Sequence, residues 1–252
     1  MKKAEIIQRI DDGANYYLRL LGDARHMEFI EHEHYSLIRP KTGEKGLTIL
    51  FQVRITQLPE EELAGIIKEI KDMKMHTWWG LGLPENVLDV IWGTDRLPTP
   101  LEPNEEEAAM ALLPQERPTY PPADQAISIK KVGTPEDFKL WADIVNDGLH
   151  NGYPLIHPEN HSHLSETGKM PCYIGYYEGI PAAGAASMTN GYAASLEFVA
   201  TLPGYRRKGL ARAVCAAAID EAFEKGAEIM TLRAEGDAKK LYTALGFRIY
   251  PC

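Results

Sequence analysis

The stretch Ser195-Leu-Glu-Phe-Val-Ala-Thr-Leu-Pro-Gly-Tyr-Arg-Arg-Lys-Gly-Leu-Ala211 decides how this chain is read. Leu196 to Leu202 is rich in apolar and β-branched residues and reads as a strand. Pro203-Gly204 stops it. A basic loop follows, Arg206-Arg207-Lys208-Gly209, and an alanine-rich helix begins near Leu210. Strand, cationic loop and helix N-terminus in that order make a site for a polyanion. The first amides of a helix lack intrahelical partners and carry partial positive charge, so phosphate oxygens accept from them. The three cations add full charge, and Gly209 lets the backbone come close. A nucleotide P-loop is excluded, because Leu210 stands where GxxxxGK[ST] needs Lys. No GxGxxG occurs, so a dinucleotide fold has no support.

Outward from that stretch, the second half alternates cleanly. Ala126 to Val132 reads as a strand, and Thr134-Pro135-Glu136-Asp137 as an N-cap, a proline at the first helical position and acids in the first turn. That helix runs to about residue 147. The polar, His-rich residues 148–168 carry a short helix among loops. Two hairpins follow, turning at Glu178-Gly179 and at Asn190-Gly191. After the strand and helix of the quoted stretch come a strand (Glu228 to Arg233), a helix (Asp237 to Leu245) and a last strand (Phe247 to Tyr250).

In the first half, Ile7, Ile10, Ala14, Tyr17, Leu18 and Leu21 recur at helical spacing, so residues 3–21 read as helix, with Gly13 as the point where it would break. Residues 24–58 read as strands and turns, clearest at Leu47 to Ile55. A helix opens at Pro59 with Glu60-Glu61-Glu62 in its first turn and an apolar stripe of Leu63, Ile66, Ile67, Ile70 and Met73. A short strand (Met75 to Leu81), a short helix (Glu85 to Trp92) and a strand (Ala108 to Leu113) complete it. Residues 113–125 hold four prolines and read as a linker. The expected division is therefore 1–113, linker 114–125, and 126–252. The halves repeat one order of elements, with Leu58-Pro59 in the place of Leu202-Pro203, which points to duplication. The chemistry does not repeat. Three carboxylates stand in the first half where the second has its cations, and they would repel a pyrophosphate.

Val199-x-Thr201-x-Pro203-x-Tyr205-Arg206-x-x-Gly209-x-Ala211 resembles the acetyl-CoA motif of the GNAT N-acetyltransferase superfamily, whose core is Arg/Gln-x-x-Gly-x-Gly/Ala. Ala238-x-x-Leu241-Tyr242-x-x-Leu245-Gly246-Phe247 resembles that superfamily's second signature. The resemblance covers about residues 126–252, and the whole chain resembles GNAT proteins with a degenerate N-terminal GNAT-like domain and an active C-terminal one. It implies an α/β fold of tandem domains. Each is a mostly antiparallel twisted sheet with one splayed parallel strand pair and flanking helices.

The resemblance also implies roles. Amides near Val199 and Thr201 would hold the pantetheine arm and polarise the thioester carbonyl. Amides from Arg207 through Lys208, Gly209 and Leu210 to Ala211, with the Arg206 side chain, would cradle the pyrophosphate. Tyr242 would face the CoA sulfur and protonate the departing thiolate. For the base, Glu197 lies two residues before Val199, so strand alternation puts both on one face. A water relay would serve as well. Glu235 departs from the family, standing where many members have Asn. The implied activity is acetyl-CoA-dependent N-acetylation of a small-molecule or peptide amine by direct attack. The competing reading is a non-catalytic acyl-CoA-binding or regulatory module of the same fold.

Bulk composition bounds the rest. Of 252 residues, 44% are hydrophobic and 25% charged, the mixture of a globular protein. A formal charge of −9 argues against nucleic acid and permits a cationic acceptor. The first residues have no apolar signal-like core, and no apolar run reaches membrane-spanning length. Three scattered cysteines suit a reducing compartment, so the expectation is a cytoplasmic protein without membrane partner, with a homodimer left open. His150, His157, His161 and His163 match no closed zinc pattern, and no metal is expected. Cys215 reads as a small core residue, nothing places Cys172 beside a base, and Trp78-Trp79 reads as packing.

Overall fold

The computed structural model describes residues 1–43, 48–52, 59, 61–62, 64–66, 68, 76–77, 108–150 and 156–250. Contacts divide the chain into two units, Met1–Gly13 with Glu107–Pro251, and Ala14–Glu106 with Cys252. Helix α1 (Lys3–Gly22) runs through the first division without a break. Gly13 is helical, and its purpose is steric. A Cβ there would lie 2.8 Å from Thr231 Oγ1 and 3.4 Å from Ser195 Cβ, so only a glycine lets the helix come this close to those strands.

The larger unit is built on a seven-stranded sheet in the order β11-β5-β10-β9-β8-β7-β6. The strands are β5 (Ala108–Leu112), β6 (Ile127–Lys131), β7 (Cys172–Tyr177), β8 (Ile180–Thr189), β9 (Ala193–Thr201), β10 (Ile229–Ala234) and β11 (Arg248–Ile249). All neighbours are antiparallel except β9 and β10. The expected hairpins thus form at both of their turns.

Helix α4 (Leu210–Glu224) covers one face with Leu210, Val214, Cys215, Ala218, Ile219 and Ala222 at helical spacing. These pack with Ala194 and Leu196 of β9 and with Met230, Leu232 and Ala234 of β10. The opposite face takes α2 (Pro135–His150), which packs on β8 and β9. Phe138 and Trp141 are fully buried there, and Trp141 Nε1 donates to Ala185 O at 3.1 Å. Thr134 caps α2 as its sequence foretold, accepting from the Asp137 amide at 3.1 Å. Short helices α3 (Pro158–Glu166) and α5 (Ala238–Ala244) complete the unit.

Ala108–Leu112, expected as the last strand of the first half, lies between β10 and β11. Its run of Ala-Ala-Met-Ala-Leu is buried at every position, which suits a strand covered on both faces. The proline-rich stretch after it packs along α4 and α5. Arg117 pairs with Asp220, and Tyr120 donates to Leu245 O at 3.0 Å.

The second unit holds β1 (Met27–Glu31), β2 (Ser36–Pro40), β3 (Ile49–Phe51) and β4 (His76–Thr77), in the order β1-β2-β3-β4. The first two pairings are antiparallel and the last, β3 with β4, is parallel. Leu18 and Leu21 of α1, Ile38 of β2 and Phe51 of β3 are buried in its core. Of the helix expected from Pro59, residues 61–62, 64–66 and 68 are helical. The expected helix from Glu85 to Trp92 and the Trp78-Trp79 pair lie outside the described residues. Among the described residues no helix is long and apolar enough to cross a membrane.

One ion-pair cluster ties α4 to the far edge of the sheet. Glu221 accepts from Lys131 Nζ of β6 and from Lys225 Nζ, each at 2.5 Å. Partial burial would raise the Glu221 carboxyl, but the two ammonium groups outweigh it and hold it at about 2. The folded value lies below the unfolded one of 4.5, so the pairing stabilises the fold above pH 4.5 and is lost as pH falls towards 2. Glu221→Gln is expected to lower the melting temperature at pH 7 and flatten its fall between those values. An acid limb unchanged from wild type in pH-dependent thermal melts would refute this.

Candidate active site

The site begins where two strands part. β9 and β10 pair in parallel only through Ile229↔Ala193, Met230↔Ala194 and Thr231↔Ser195. Beyond that point β10 stays on β5 as far as Ala234↔Ala108, while β9 stays on β8 as far as Thr201↔Ala183. Each strand therefore keeps its outer neighbour and loses its inner one. Backbone donors and acceptors on the facing edges are left without a strand to pair with, and such groups demand a partner.

A bulge in β9 re-aims its side chains. Glu197 opposes Ala186 and Ala200 opposes Gly184, so Phe198 and Val199 together face Ala185. Phe198 takes φ +54, in the left-handed region. Alternation is reset there. Leu196 and Val199 both meet the α4 cluster, whereas Phe198 sits edge-on to Trp141 of α2 at 5.6 Å. The expectation that Glu197 and Val199 share a face fails for this reason, since uniform period two does not survive an inserted residue. Glu197 shares the face of Ser195, on which α1 packs.

The basic loop closes the outer end of β9. Pro203–Tyr205 forms one turn of 3₁₀ helix, Arg207 takes φ +66, and Gly209 caps α4 at φ +88. The first helical bond across the cap runs from the Ala213 amide to Gly209 O at 3.1 Å. Amides of Leu210, Ala211 and Arg212 precede it and so have no carbonyl within the helix to donate to. No side chain caps this terminus. Lys208 Nζ lies 4.4 Å above the ring of Tyr177 at the end of β7. At the end of β9, Thr201 Oγ1 is buried without a hydrogen-bond partner.

Arg206 takes a role that the sequence reading did not foresee. Its Nε donates to Thr201 O and its Nη2 to Gly148 O, each at 3.2 Å. The guanidinium therefore ties the loop to the end of β9 and to the last turn of α2.

Tyr242 lies on α5, nearly buried at 7% exposure, with its ring edge-on to Phe247 at 5.9 Å. Burial, then the neighbouring Cys215 and Glu197, push its phenol well above the ordinary value. The phenol therefore stays protonated at neutral pH.

Among the described residues no group of three or more His, Cys, Asp or Glu side chains could hold a metal ion. His161 is buried and spends Nδ1 on the backbone of His157, at 3.1 Å from N and 2.9 Å from O. Cys172 and Cys215 are free, and burial raises both thiols. Sequence reading passed over Arg233, which lies on β10 on the face that Thr231 shares. Its side chain is 8% exposed, and Asp11 of α1 approaches it at 3.7 Å. The available signal was a guanidinium inside a central strand whose other residues, Thr231 apart, are apolar, a rare place for a charge.

Residues 138–247 match the family described as Acetyltransferase (GNAT) family. Solved structures share the fold over most of the chain. A GCN5-related N-acetyltransferase from Kribbella flavida aligns with a TM-score of 0.60 at 18% identity, over 94% of this chain and 91% of that one. One from Sphaerobacter thermophilus gives 0.59 at 10% identity, over 86% and 78%. A GCN5-related N-acetyltransferase-like protein from Streptococcus suis gives 0.52 at 12%, over 98% and 96%. No curated protein matches.

If Arg206 ties three segments together, removing it loosens them. Arg206→Ala is expected to cost about 1 kcal/mol of stability for the lost hydrogen bonds. Amide hydrogen exchange should rise first at residues 201–210. Exchange unchanged across that loop would show that the two carbonyl contacts do not persist in solution.

Proposed function

We propose that this protein is an acetyl-CoA-dependent N-acetyltransferase that moves an acetyl group directly to the amine of a small molecule or peptide. The observation that carries the reading is the parting of β9 from β10 with the uncapped, cationic N-terminus of α4 at its outer end. A thioester attached to a diphosphate fits both parts. The orphaned hydroxyl of Thr201 supports a polar ligand between them.

In this reading the amides of Arg207, Lys208, Gly209, Leu210 and Ala211 bind the pyrophosphate, and the Lys208 charge adds to them. Arg206 acts by holding the loop in place. The β9 edge near Val199 and Thr201 pairs with the pantetheine arm and polarises the thioester carbonyl. Glu197, on the face opposite to α4, takes a proton from the incoming ammonium, directly or through water. The amine lone pair then forms the N–C bond as the C–S bond breaks. Tyr242 gives its proton to the departing thiolate, and the acylated nitrogen sheds its remaining extra proton to the tyrosinate, directly or through water. The family domain over residues 138–247 supports the assignment.

The N-terminal unit is, in the same reading, a degenerate GNAT-like domain. Two features support it. Its sheet also ends in a parallel pair, β3 with β4, and Gln52 directly after β3 takes φ +52 as Phe198 takes +54. The two free cysteines agree with a reducing, cytoplasmic setting.

Calorimetry with CoA and an acetyl-CoA-dependent thiol-release assay over an amine panel test the proposal. CoA should bind wild type and Tyr242→Phe alike, while turnover in the variant falls by about 10²–10⁴-fold, the usual share of general acid catalysis. Absence of heat with CoA would overturn the assignment. Binding without thiol release on any amine would favour the non-catalytic acyl-CoA module instead.

A further inference from the structure

The proline-rich stretch between β5 and β6 does more than join two strands. Together with α4 it encloses a cavity of about 480 Å³, a volume within the range of small-molecule sites. Pro114, Arg117, Pro118 and Tyr120 form one wall, and Ala216 and Asp220 of α4 form the other. The two α4 residues are one helical turn apart and lie outside the buried stripe of that helix. Two features keep the space open. The proline rings fix their own φ, so that wall is stiff. Ala216 offers only a methyl group where a longer side chain would fill the gap.

Arg117 and Asp220 are the polar pair of this cavity. They bind each other, and their side chains are 36% and 37% exposed. The Arg117 guanidinium also lies over the Tyr120 ring, 5.1 Å from its centre. Tyr120 is itself fixed, because its hydroxyl donates to Leu245 O at 3.0 Å. Ring and carboxylate therefore hold the guanidinium in place before any ligand arrives. Their capacity is not used up. A guanidinium has five N–H donors, and a carboxylate has about four acceptor sites. Among the described residues Arg117 is the one ionic or hydrogen-bonding partner of Asp220, whereas the neighbouring Glu221 has two, Lys131 and Lys225.

Charge selects what fits. Burial raises the Asp220 carboxyl, Arg117 offsets part of that rise, and Glu224 adds to it, so a further anion is unwelcome. A cation would meet the permanent charge of Arg117. A neutral group keeps the pair intact and uses both members, with an acceptor towards Arg117 and N–H donors towards Asp220. The flat faces of the Tyr120 ring and the guanidinium suit a planar ring. Guanine carries the required order along one edge, O6 as acceptor, then N1–H and the N2 amino group as donors.

We propose that the cavity between the proline-rich stretch and α4 is a binding site for a neutral planar ring bearing an acceptor beside N–H donors, with guanine as the best-fitting nucleobase. The site lies outside the acyl-transfer machinery, and the inference does not rest on the acetyltransferase reading.

The experiment is calorimetry with guanosine, inosine, benzoate and benzylamine, on the protein alone and with CoA in excess. Guanosine should bind about tenfold or more tighter than either charged ring, the usual worth of a matched two-point contact. Inosine, which lacks the N2 amino group, should bind several-fold more weakly than guanosine. Ala216→Met fills the cavity and should abolish guanosine binding without lowering the melting temperature. Asp220→Asn keeps the size of the side chain and should weaken guanosine about tenfold. Amide exchange should slow on binding at residues 115–120 and 216–220. No heat with guanosine, a charged ring binding as tightly, or guanosine binding unchanged in either variant would each overturn the inference. So would guanosine heat that vanishes with CoA in excess, since the nucleoside would then occupy the coenzyme's site. Failure of the acetyltransferase reading shows separately, as absent CoA heat and thiol release while guanosine still binds.

Discussion

Everything at the site follows from β9 and β10 being bound more firmly to their outer neighbours than to each other. Each has a full ladder on its far side, with β8 and β5, and only three paired positions between them. Two twisted strands that follow different partners must diverge, because sheet twist accumulates separately along each arm. Divergence inside a core is normally penalised, since unpaired amides and carbonyls have lost water without gaining a partner. It persists here because the arms are anchored elsewhere. β5 is decisive in this respect. Its five buried residues hold β10 over its whole upper length, so β10 has no reason to follow β9.

The bulge at Phe198 solves a second problem set by the same divergence. A regular β9 would present Glu197 and Val199 to one face. One of the two would then be wrongly placed, either a carboxylate in the apolar α4 cluster or an apolar chain in the polar opening. The inserted residue lets the carboxylate face α1 and the valine face α4. The left-handed backbone at a phenylalanine is strained. The T-shaped contact of its ring with Trp141, itself fixed by a hydrogen bond to Ala185 O, is part of what offsets that strain.

The parts of this molecule most visible in the sequence were those governed by local rules. Thr134-Pro135 began a helix, Glu178-Gly179 and Asn190-Gly191 made hairpins, and Pro203-Gly204 ended the strand that enters the loop. The strand, the cationic turn and the helix start were legible for the same reason, since they are contiguous in the chain. What the sequence concealed was non-local. Ala108 to Leu112 looks like any short apolar run, and nothing in it names β10 as its partner. Arg206 looked like a phosphate ligand because three cations in a row carry no sign of which one turns back to carbonyls at Thr201 and Gly148. Gly13 looked like a helix breaker, because the strands that need its missing side chain are nearly two hundred residues away. Asp11 and Arg233 are separated likewise, so no spacing rule could join them.

The two faces of the parted strands also keep Tyr242 and Glu197 apart. Tyr242 packs among apolar groups beside α4, and burial keeps its proton on at neutral pH. Glu197 precedes the bulge of β9 and shares the face of Ser195 instead. In the proposed reading this separation puts the base on the side from which the amine comes and the acid on the side to which the thiolate leaves. A proton taken on one face and a proton given on the other need never meet directly, because the reacting carbonyl would lie between them.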